Sequence, residues 1–142
     1  MIKATLGFIF SSDHTEVLLI EKQRPAWQVG KLNGLGGKCE GEETAVACIS
    51  REIQEECNLT ISSDRWSEVA ELKWQEWEVS VFTVVLKKHE DRGLTSLTDE
   101  VVSWCPVNNL PSTILSNLSW LIPLALDKLH EPTLKKVIVT YD

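Results

Sequence analysis

The sequence has no excess of basic residues. Lysine and arginine together number 14 against 21 aspartate and glutamate residues, which gives a formal net charge of -7 at pH 7. Such a surface repels the phosphate backbones of DNA and RNA, so we do not expect a long nucleic acid as a partner. A small phosphorylated molecule remains compatible with this charge if metal ions and a few cationic side chains screen it locally.

The sequence also lacks the cysteine patterns of disulfide-rich and zinc-binding proteins. Its four cysteines are Cys39, Cys48, Cys57 and Cys105, and none forms a Cys-x-x-Cys pair. We interpret them as reduced thiols of a cytoplasmic protein. The N-terminus has no long apolar segment typical of a signal peptide, and no apolar run reaches the length that spans a bilayer. We therefore expect a cytoplasmic monomer or homodimer without a membrane partner.

The apolar residues that are present suffice for one packed core. Hydrophobic residues make up 43% and charged residues 25% of the 142 positions, so we expect a single globular domain over residues 1–142. Apolar runs between turn residues predict strands at 2–10, 17–20, 66–74, 77–86, 101–105 and 134–141. Helices are predicted at 45–57, with Thr44 as N-cap, and at 113–129, where Pro123 is either a kink or the true start. This order is typical of a mixed α/β fold.

Acidic side chains recur at helical spacing in residues 37–59. Glu52, Glu55 and Glu56 stand at positions i, i+3 and i+4, so a helix places them on one face. Glutamate-rich helices are commonly no more than solvated surfaces. Like charges at this spacing nevertheless repel one another unless a cation lies among them. Because Mg²⁺ prefers oxygen ligands, the spacing indicates a divalent metal site.

This stretch resembles the Nudix box, written G-x5-E-x7-R-E-U-x-E-E-x-G-U with U an aliphatic residue. The matching residues are Gly37, Glu43, Arg51, Glu52, Ile53, Glu55, Glu56 and Leu59. Only Asn58 departs, and asparagine is the usual non-glycine residue in the left-handed conformation that ends a helix. The resemblance implies the α/β Nudix fold, a mixed β-sheet sandwiched between helices in three layers (α/β/α).

The resemblance further implies how the box binds metal and performs chemistry. The expected metal ligands for Mg²⁺, with Mn²⁺ as an alternative, are the Gly36 carbonyl and the carboxylates of Glu52, Glu55, Glu56 and Glu100. The expected catalytic residues are Glu52, Glu56, Arg51 and Glu100. In the family the matching arginine orients a box glutamate, and Glu43 is expected to fix the loop and helix geometry.

The identity of the residue that activates the attacking water stays open. Glu52 and Glu100 are both candidates, and geometry must decide between them before pKa does. Glu100 lies outside the box, where an acidic residue is equally typical of a solvated loop.

Residues 27–38 are similar to the same region of mutator-type 8-oxo-dGTP pyrophosphohydrolases. In those enzymes the residues matching Trp27 and Asn33 lie in the base pocket, where a ring stacks on the base and an amide reads its edge. Both residues also suit loop packing and a turn. The remaining residues expected to bind substrate are Gly37, Lys38, Ser116 and Asn117.

The substrate expected from these resemblances is a purine or modified purine deoxynucleoside triphosphate. Ser116 and Asn117 stand where the mutator-type enzymes carry an acidic pair, so an ordinary dNTP and a modified purine both remain open. The leading hypothesis is Mg²⁺-dependent hydrolysis to the monophosphate and pyrophosphate. The alternatives are an ADP-ribose, nucleotide-sugar or dinucleotide pyrophosphatase, and a non-catalytic module that senses nucleotides. Trp74, Trp77 and Trp104 carry no functional prediction and are expected in the core or on a sheet face.

Overall fold

The computed structural model describes residues 1–142, which form seven strands, two α-helices and two short 3₁₀ turns. The strands are β1 (Ile2–Phe10), β2 (Glu16–Glu21), β3 (Leu32–Asn33), β4 (Ser67–Trp74), β5 (Trp77–Val85), β6 (Val102–Pro106) and β7 (Val137–Thr140). The helices are α1 (Ala45–Cys57) and α2 (Leu118–His130). Neither helix is both long and apolar enough to cross a membrane.

All seven strands join one mixed sheet in the order β3-β2-β1-β5-β4-β7, with β6 paired to β2. At its centre β1 runs parallel to β5, from the pair Ile2 and Trp77 to the pair Phe10 and Val85. Strand β7 is also parallel to its neighbour β4, whereas β4 and β5 form an antiparallel hairpin. The predicted mixed α/β sheet is therefore confirmed.

Alternate residues of the strands bury the two faces of the sheet in separate cores, as the period of a strand requires. Phe8 and Phe10 of β1 pack with α2 residues such as Leu121. Ile9, between them, packs on the opposite face with Ile49 and Ile53 of α1. One helix therefore covers each face, which confirms the three-layer arrangement.

Helix α1 begins and ends where the sequence predicts. The Thr44 hydroxyl accepts a hydrogen bond from the backbone N–H of Ala47 at 3.2 Å, which satisfies one free amide of the first turn. Asn58 ends the helix with φ 65° and ψ 25°, the left-handed conformation in which the box pattern has glycine. Asparagine therefore performs the structural role of the missing glycine.

The predicted start of the second helix is wrong. Helix α2 begins at Leu118 rather than at residue 113, and Pro123 lies inside it as neither its first residue nor its boundary. Residues 113–115 instead run beside β3, where the N–H of Leu32 donates to the Thr113 carbonyl and the N–H of Leu115 donates to the Leu32 carbonyl. Pairing with a neighbouring strand satisfies these backbone groups and outweighs the helical pattern of their side chains.

Candidate active site

Arg51 lies at the centre of the acidic face of α1. Its guanidinium donates two hydrogen bonds to Glu43, at 2.8 and 2.9 Å, and one each to Glu52 at 3.0 Å and Glu55 at 3.2 Å. A fifth reaches the Lys38 carbonyl at 3.1 Å. The hydrogen bonds from Arg51 lower the pKa of Glu43 to about 2. Arg51 thus ties the loop before α1 to the glutamates of the helix.

Replacing Arg51 by lysine is expected to lower turnover about tenfold or more, because residues that orient a metal-binding side chain commonly matter on that scale. A lysine ammonium keeps the charge but cannot bond Glu43 through two parallel N–H groups while also reaching Glu52. Steady-state kinetics of Arg51→Lys measures the loss. Arg65→Lys is the matched control, because Arg65 makes a similar two-pronged pair with Glu90. Equal activity of the two variants would contradict an orienting role for Arg51.

Glu56 is a buried carboxylate without a cationic partner. Only 8% of the residue is exposed, and its Oε1 accepts a hydrogen bond from the Gly36 N–H at 2.9 Å. Burial, reinforced by the charges of Glu52 and Glu100, raises the pKa of Glu56 to about 8. Burial likewise raises the pKa of Glu52. Both carboxyl groups therefore hold their protons to higher pH than usual unless a cation stabilises the charged form.

The glycines next to these carboxylates leave no room for a side chain. A Cβ on Gly37 would lie 2.6 Å from the carboxyl carbon of Glu52, and one on Gly36 would lie 2.1 Å from the Thr5 carbonyl oxygen. The whole glycine segment, residues 34–39, follows β1, since Gly7 and Thr5 donate backbone hydrogen bonds to the Leu35 and Gly37 carbonyls. Glycine is therefore required here for close approach of two backbones and a carboxylate.

Glu100 is held beside Lys22. Only 6% of Glu100 is exposed. Its Oε1 accepts from the Lys22 ammonium at 3.1 Å, and its Oε2 accepts from the Gln23 N–H at 2.6 Å. These hydrogen bonds outweigh the effect of burial and lower the pKa of Glu100. The sequence contains no signal for Lys22, which stands directly after β2 as an ordinary charged residue.

The donor chemistry of this region fits a hard divalent cation. Buried, mutually repelling carboxylates need a positive charge. Glu56 forms no ion pair, and the charge of Lys22 only partly offsets its burial. The residues that could hold the cation are the predicted glutamates Glu52, Glu55, Glu56 and Glu100, with Gly36 beside them. No three of these side chains have oxygens within 4.8 Å of one another in this conformation; the one such group is Cys39, Glu43 and Cys48.

A cleft of about 350 Å³ opens beside the glycine segment. Its walls include Trp27, Trp74 and Trp77, and its polar lining includes Lys22, Gln28, Asn33, Lys38 and Asn117. The rings of Trp74 and Trp77 are stacked, with centroids 6.0 Å apart and planes 13° apart, and the Lys38 ammonium lies 5.4 Å from the Trp77 ring centroid. Gly36 and Gly37 also line the cleft, and they adjoin the carboxyl groups of Glu56 and Glu52. The volume is of the size of small-ligand pockets, about 300–1,000 Å³.

The structure brings most predicted substrate residues to this cleft but not all. Trp27, Asn33, Gly37, Lys38 and Asn117 line it. Ser116 instead lines an adjoining groove of about 310 Å³. Ser116 lies in the turn before α2, where its carbonyl accepts from the Ser119 hydroxyl, between Leu115 and Asn117, which do line the cleft.

Trp74 and Trp77 are the residues that sequence reasoning placed only in the core or on a sheet face. They face each other across the tight β4–β5 turn and line the cleft. Their spacing predicts that the two rings lie side by side, because residues on either side of a two-residue hairpin turn are opposite each other and share a face.

Comparison with protein families identifies the chain. The family model described as the NUDIX domain matches residues 1–123. No curated protein sequence matches the chain significantly.

Solved structures share the fold at low sequence identity. An ADP-ribose pyrophosphatase from Streptococcus suis is 17% identical, with a TM-score of 0.74 over 96% of this chain and 98% of that one. A MutT NUDIX hydrolase from Burkholderia pseudomallei is 17% identical, with a TM-score of 0.72 over 87% and 96%. A MutT protein from Bacillus halodurans is 19% identical, with a TM-score of 0.65 over 87% and 80%. At these identities the similarity shows the fold alone.

Proposed function

The chain belongs to the Nudix family of pyrophosphohydrolases, and from this we propose that it hydrolyses a nucleoside triphosphate to the monophosphate and pyrophosphate in a Mg²⁺-dependent reaction. One observation carries the proposal. The tryptophan-lined cleft and the buried carboxylates meet at Gly36 and Gly37, which line the cleft and contact Glu56 and Glu52. A nucleotide whose base lies against the tryptophan rings of the cleft would have its phosphates near the acidic side chains.

The residues of the cleft divide between base and phosphate recognition. Trp74 and Trp77 offer stacked aromatic faces to a base, and Asn33 and Asn117 offer amides that donate and accept hydrogen bonds. Lys38 and Lys22 provide positive charge for phosphate oxygens. Because the side chains that line the cleft include no carboxylate, the base is read by neutral amides, which suits ordinary as well as modified purines.

Glu52 is the residue we assign to accept the proton of the attacking water. Its Oε1 accepts from Arg51, while Oε2 has no hydrogen-bond partner; both oxygens lie where a side chain on Gly37 would begin. Both oxygens of Glu100 are already engaged by Lys22 and Gln23. Glu100 therefore serves to position Lys22 and to add negative charge for the cation. Bound Mg²⁺ neutralises phosphate charge and lowers the pKa of coordinated water.

A nucleotide panel tests the proposal directly. The purified protein is incubated with dGTP, dATP, dCTP, dTTP, 8-oxo-dGTP and ADP-ribose, with and without Mg²⁺. The nucleoside monophosphate, pyrophosphate and phosphate that form are measured separately, because ADP-ribose yields AMP and ribose 5-phosphate without releasing pyrophosphate. We expect pyrophosphate release from purine triphosphates only when Mg²⁺ is present. Turnover of ADP-ribose alone would replace the proposal with the second enzyme class, and tight binding without turnover would indicate a nucleotide sensor.

Asn33→Ala is expected to change the preference among bases more than the maximal rate. The Asn33 amide lies in the cleft, where its Nδ2 donates to Gln28 at 3.3 Å and its Oδ1 accepts from the Gly34 N–H at 2.8 Å. Removing it should lower the ratio of kcat/KM between the preferred base and the others by a factor equivalent to about 1–3 kcal/mol of discrimination. Asn108→Ala, in an exposed loop, is the control. An equal loss for every base would show that Asn33 does not read the base.

A further inference from the structure

Cys39 and Cys48 form a sulfur pair that the proposed reaction does not use. Their Sγ atoms and a carboxylate oxygen of Glu43 all lie within 4.8 Å of one another. Cys48 is buried on α1, and Cys39 is half-buried at the end of the glycine segment. From this geometry we infer that the pair is a modification site at which a hydroperoxide closes a reversible disulfide bond.

Both cysteines are presented by fixed backbone. The N–H of Cys39 donates to the Lys3 carbonyl of β1 at 2.9 Å, and the N–H of Cys48 donates to the Thr44 carbonyl at 2.9 Å. A cysteine has one side-chain torsion before its sulfur, so rotation of the two side chains brings the sulfurs toward the bonded distance of about 2.05 Å. The two sulfurs are therefore neighbours because backbone hydrogen bonds hold Cys39 beside β1 and Cys48 in α1.

Cys39 is the sulfur that a small solute reaches first. It lines a surface cavity of about 130 Å³ together with Lys3, Glu43 and Glu78. Cys48 does not line this cavity and is fully buried. A hydroperoxide therefore reacts at Cys39, and Cys48 closes the bond from the interior.

A thiophilic metal ion fits this position less well than a disulfide. Glu43 already accepts two hydrogen bonds from Arg51, and Arg51 Nη2 lies 3.8 Å from the Cys48 sulfur. A bound dication would lie next to the Arg51 guanidinium where water is scarce, and the two positive charges would repel each other. A disulfide is neutral and leaves the pair between Arg51 and Glu43 in place.

The chemistry balances in two steps. The Cys39 thiolate, its proton lost to solvent, attacks the peroxide; an S–O bond forms, the O–O bond breaks, and the leaving oxygen takes a proton as the alcohol or water. The Cys48 sulfur then attacks the sulfur of the Cys39 sulfenic acid. The S–S bond forms, and the hydroxide leaves with the Cys48 proton as water. Two thiols are oxidised by two electrons, the hydroperoxide is reduced, and an added dithiol reverses the change.

The bridge would act on the active site because Cys48 Sγ lies 3.7 Å from the Gly37 carbonyl. The part of the sulfur–sulfur gap that side-chain rotation does not close draws Cys39 toward α1, which shifts the segment whose glycines contact Glu52 and Glu56. A misplacement of about 1 Å in a catalytic site commonly lowers turnover by up to about 100-fold. This consequence rests on the proposed function, whereas the disulfide itself does not.

The experiment treats the purified protein with hydrogen peroxide and measures thiols, mass and activity. We expect the four free thiols to fall to two, a tryptic peptide pair linking Cys39 to Cys48, and a return to four with dithiothreitol. Cys39→Ser should keep its three thiols, whereas the control Cys105→Ser should fall from three to one. Cys48→Ser should leave Cys39 as a sulfenic acid that dimedone traps.

Formation of the disulfide bond is detected by mass spectrometry of the linked peptides, so this result does not depend on the result of the nucleotide panel. Failure of Cys39 and Cys48 to become linked, or linkage of other cysteines instead, would overturn the inference whether or not the protein is active. Where nucleotide turnover is present, peroxide should lower it at least about tenfold in the unchanged protein and spare Cys39→Ser. Because Cys39 is only half-buried, we expect Cys39→Ser to fold, and this variant tests the inference even if Cys48→Ser fails to fold.

Discussion

Replacement of Glu56 by glutamine is expected to lower turnover at least about 100-fold at saturating Mg²⁺, while the fold stays intact. Glutamine keeps the shape and still accepts the hydrogen bond from the Gly36 N–H, but it removes the negative charge. Glu56 is buried and forms no ion pair, and the charge of Lys22 only partly offsets its burial, so a cation from outside would stabilise its charged form. Pyrophosphate release measured over a range of Mg²⁺ concentrations gives the effect.

Glu42→Gln is the matched control, because Glu42 is exposed and makes no hydrogen bond or ion pair. It changes net charge equally and should leave turnover unchanged. Activity of Glu56→Gln close to that of Glu42→Gln would remove Glu56 from the site.

The stability of Glu56→Gln, measured at several pH values, distinguishes a loss of activity from a loss of folding. Burial raises the pKa of Glu56 from the usual 4.5 to about 8, so below pH 4.5 the folded and unfolded states both hold the proton. Between pH 4.5 and 8 only the unfolded state ionises, which lowers the stability of the unchanged protein as pH rises. In chelator-treated samples Glu56→Gln should therefore gain relative stability through this window and keep a constant advantage above it. Urea denaturation at several pH values measures this difference.

Gly36→Ala is expected to lower the free energy of unfolding by at least about 3 kcal/mol and to abolish most activity. Its φ of +147° is unfavourable for a residue with a Cβ, and that Cβ would lie 2.1 Å from the Thr5 carbonyl oxygen. Relief requires the glycine segment to move away from β1. Because the Gly36 N–H binds Glu56, the movement also displaces a proposed metal ligand. Urea unfolding and turnover are measured on the same preparation.

Gly41→Ala separates the steric effect from the conformational one. Gly41 also has a positive φ, +50°, but a Cβ there meets nothing within 4 Å. We expect a loss of only about 1–2 kcal/mol, the usual cost of a left-handed residue. Equal losses at Gly36 and Gly41 would mean that the close approach to Thr5 is unimportant.

The sequence predicts α1 and its acidic face because all the determinants are local. Thr44 and Asn58 mark the ends, and the spacing of the glutamates sets the face. The determinants of the start of α2 are not local. Residues 113–115 look helical by composition, yet their backbone pairs with β3, which is distant in the sequence. Only tertiary structure shows which partner satisfies those amides.

The same distinction separates the predicted from the unpredicted residues of the site. The box carboxylates belong to one motif, so their type and spacing predict them as a group. Lys22 joins Glu100 across 78 sequence positions, and a lone lysine after a strand carries no pattern. Trp74 and Trp77 lie between these cases, since their hairpin is local but their place in a ligand cleft depends on the turn before α2 and on the glycine segment.

The attachment of the glycine segment along β1 affects how the protein unfolds. Thr5 and Gly7 lie on the central strand, and their amides are bonded to this segment. The segment therefore cannot peel away as an independent low-energy opening, as surface loops commonly do. We expect its amides that bond to β1, those of Leu35 and Cys39, to exchange with solvent as slowly as the amides of that strand, so that the site unfolds together with the core.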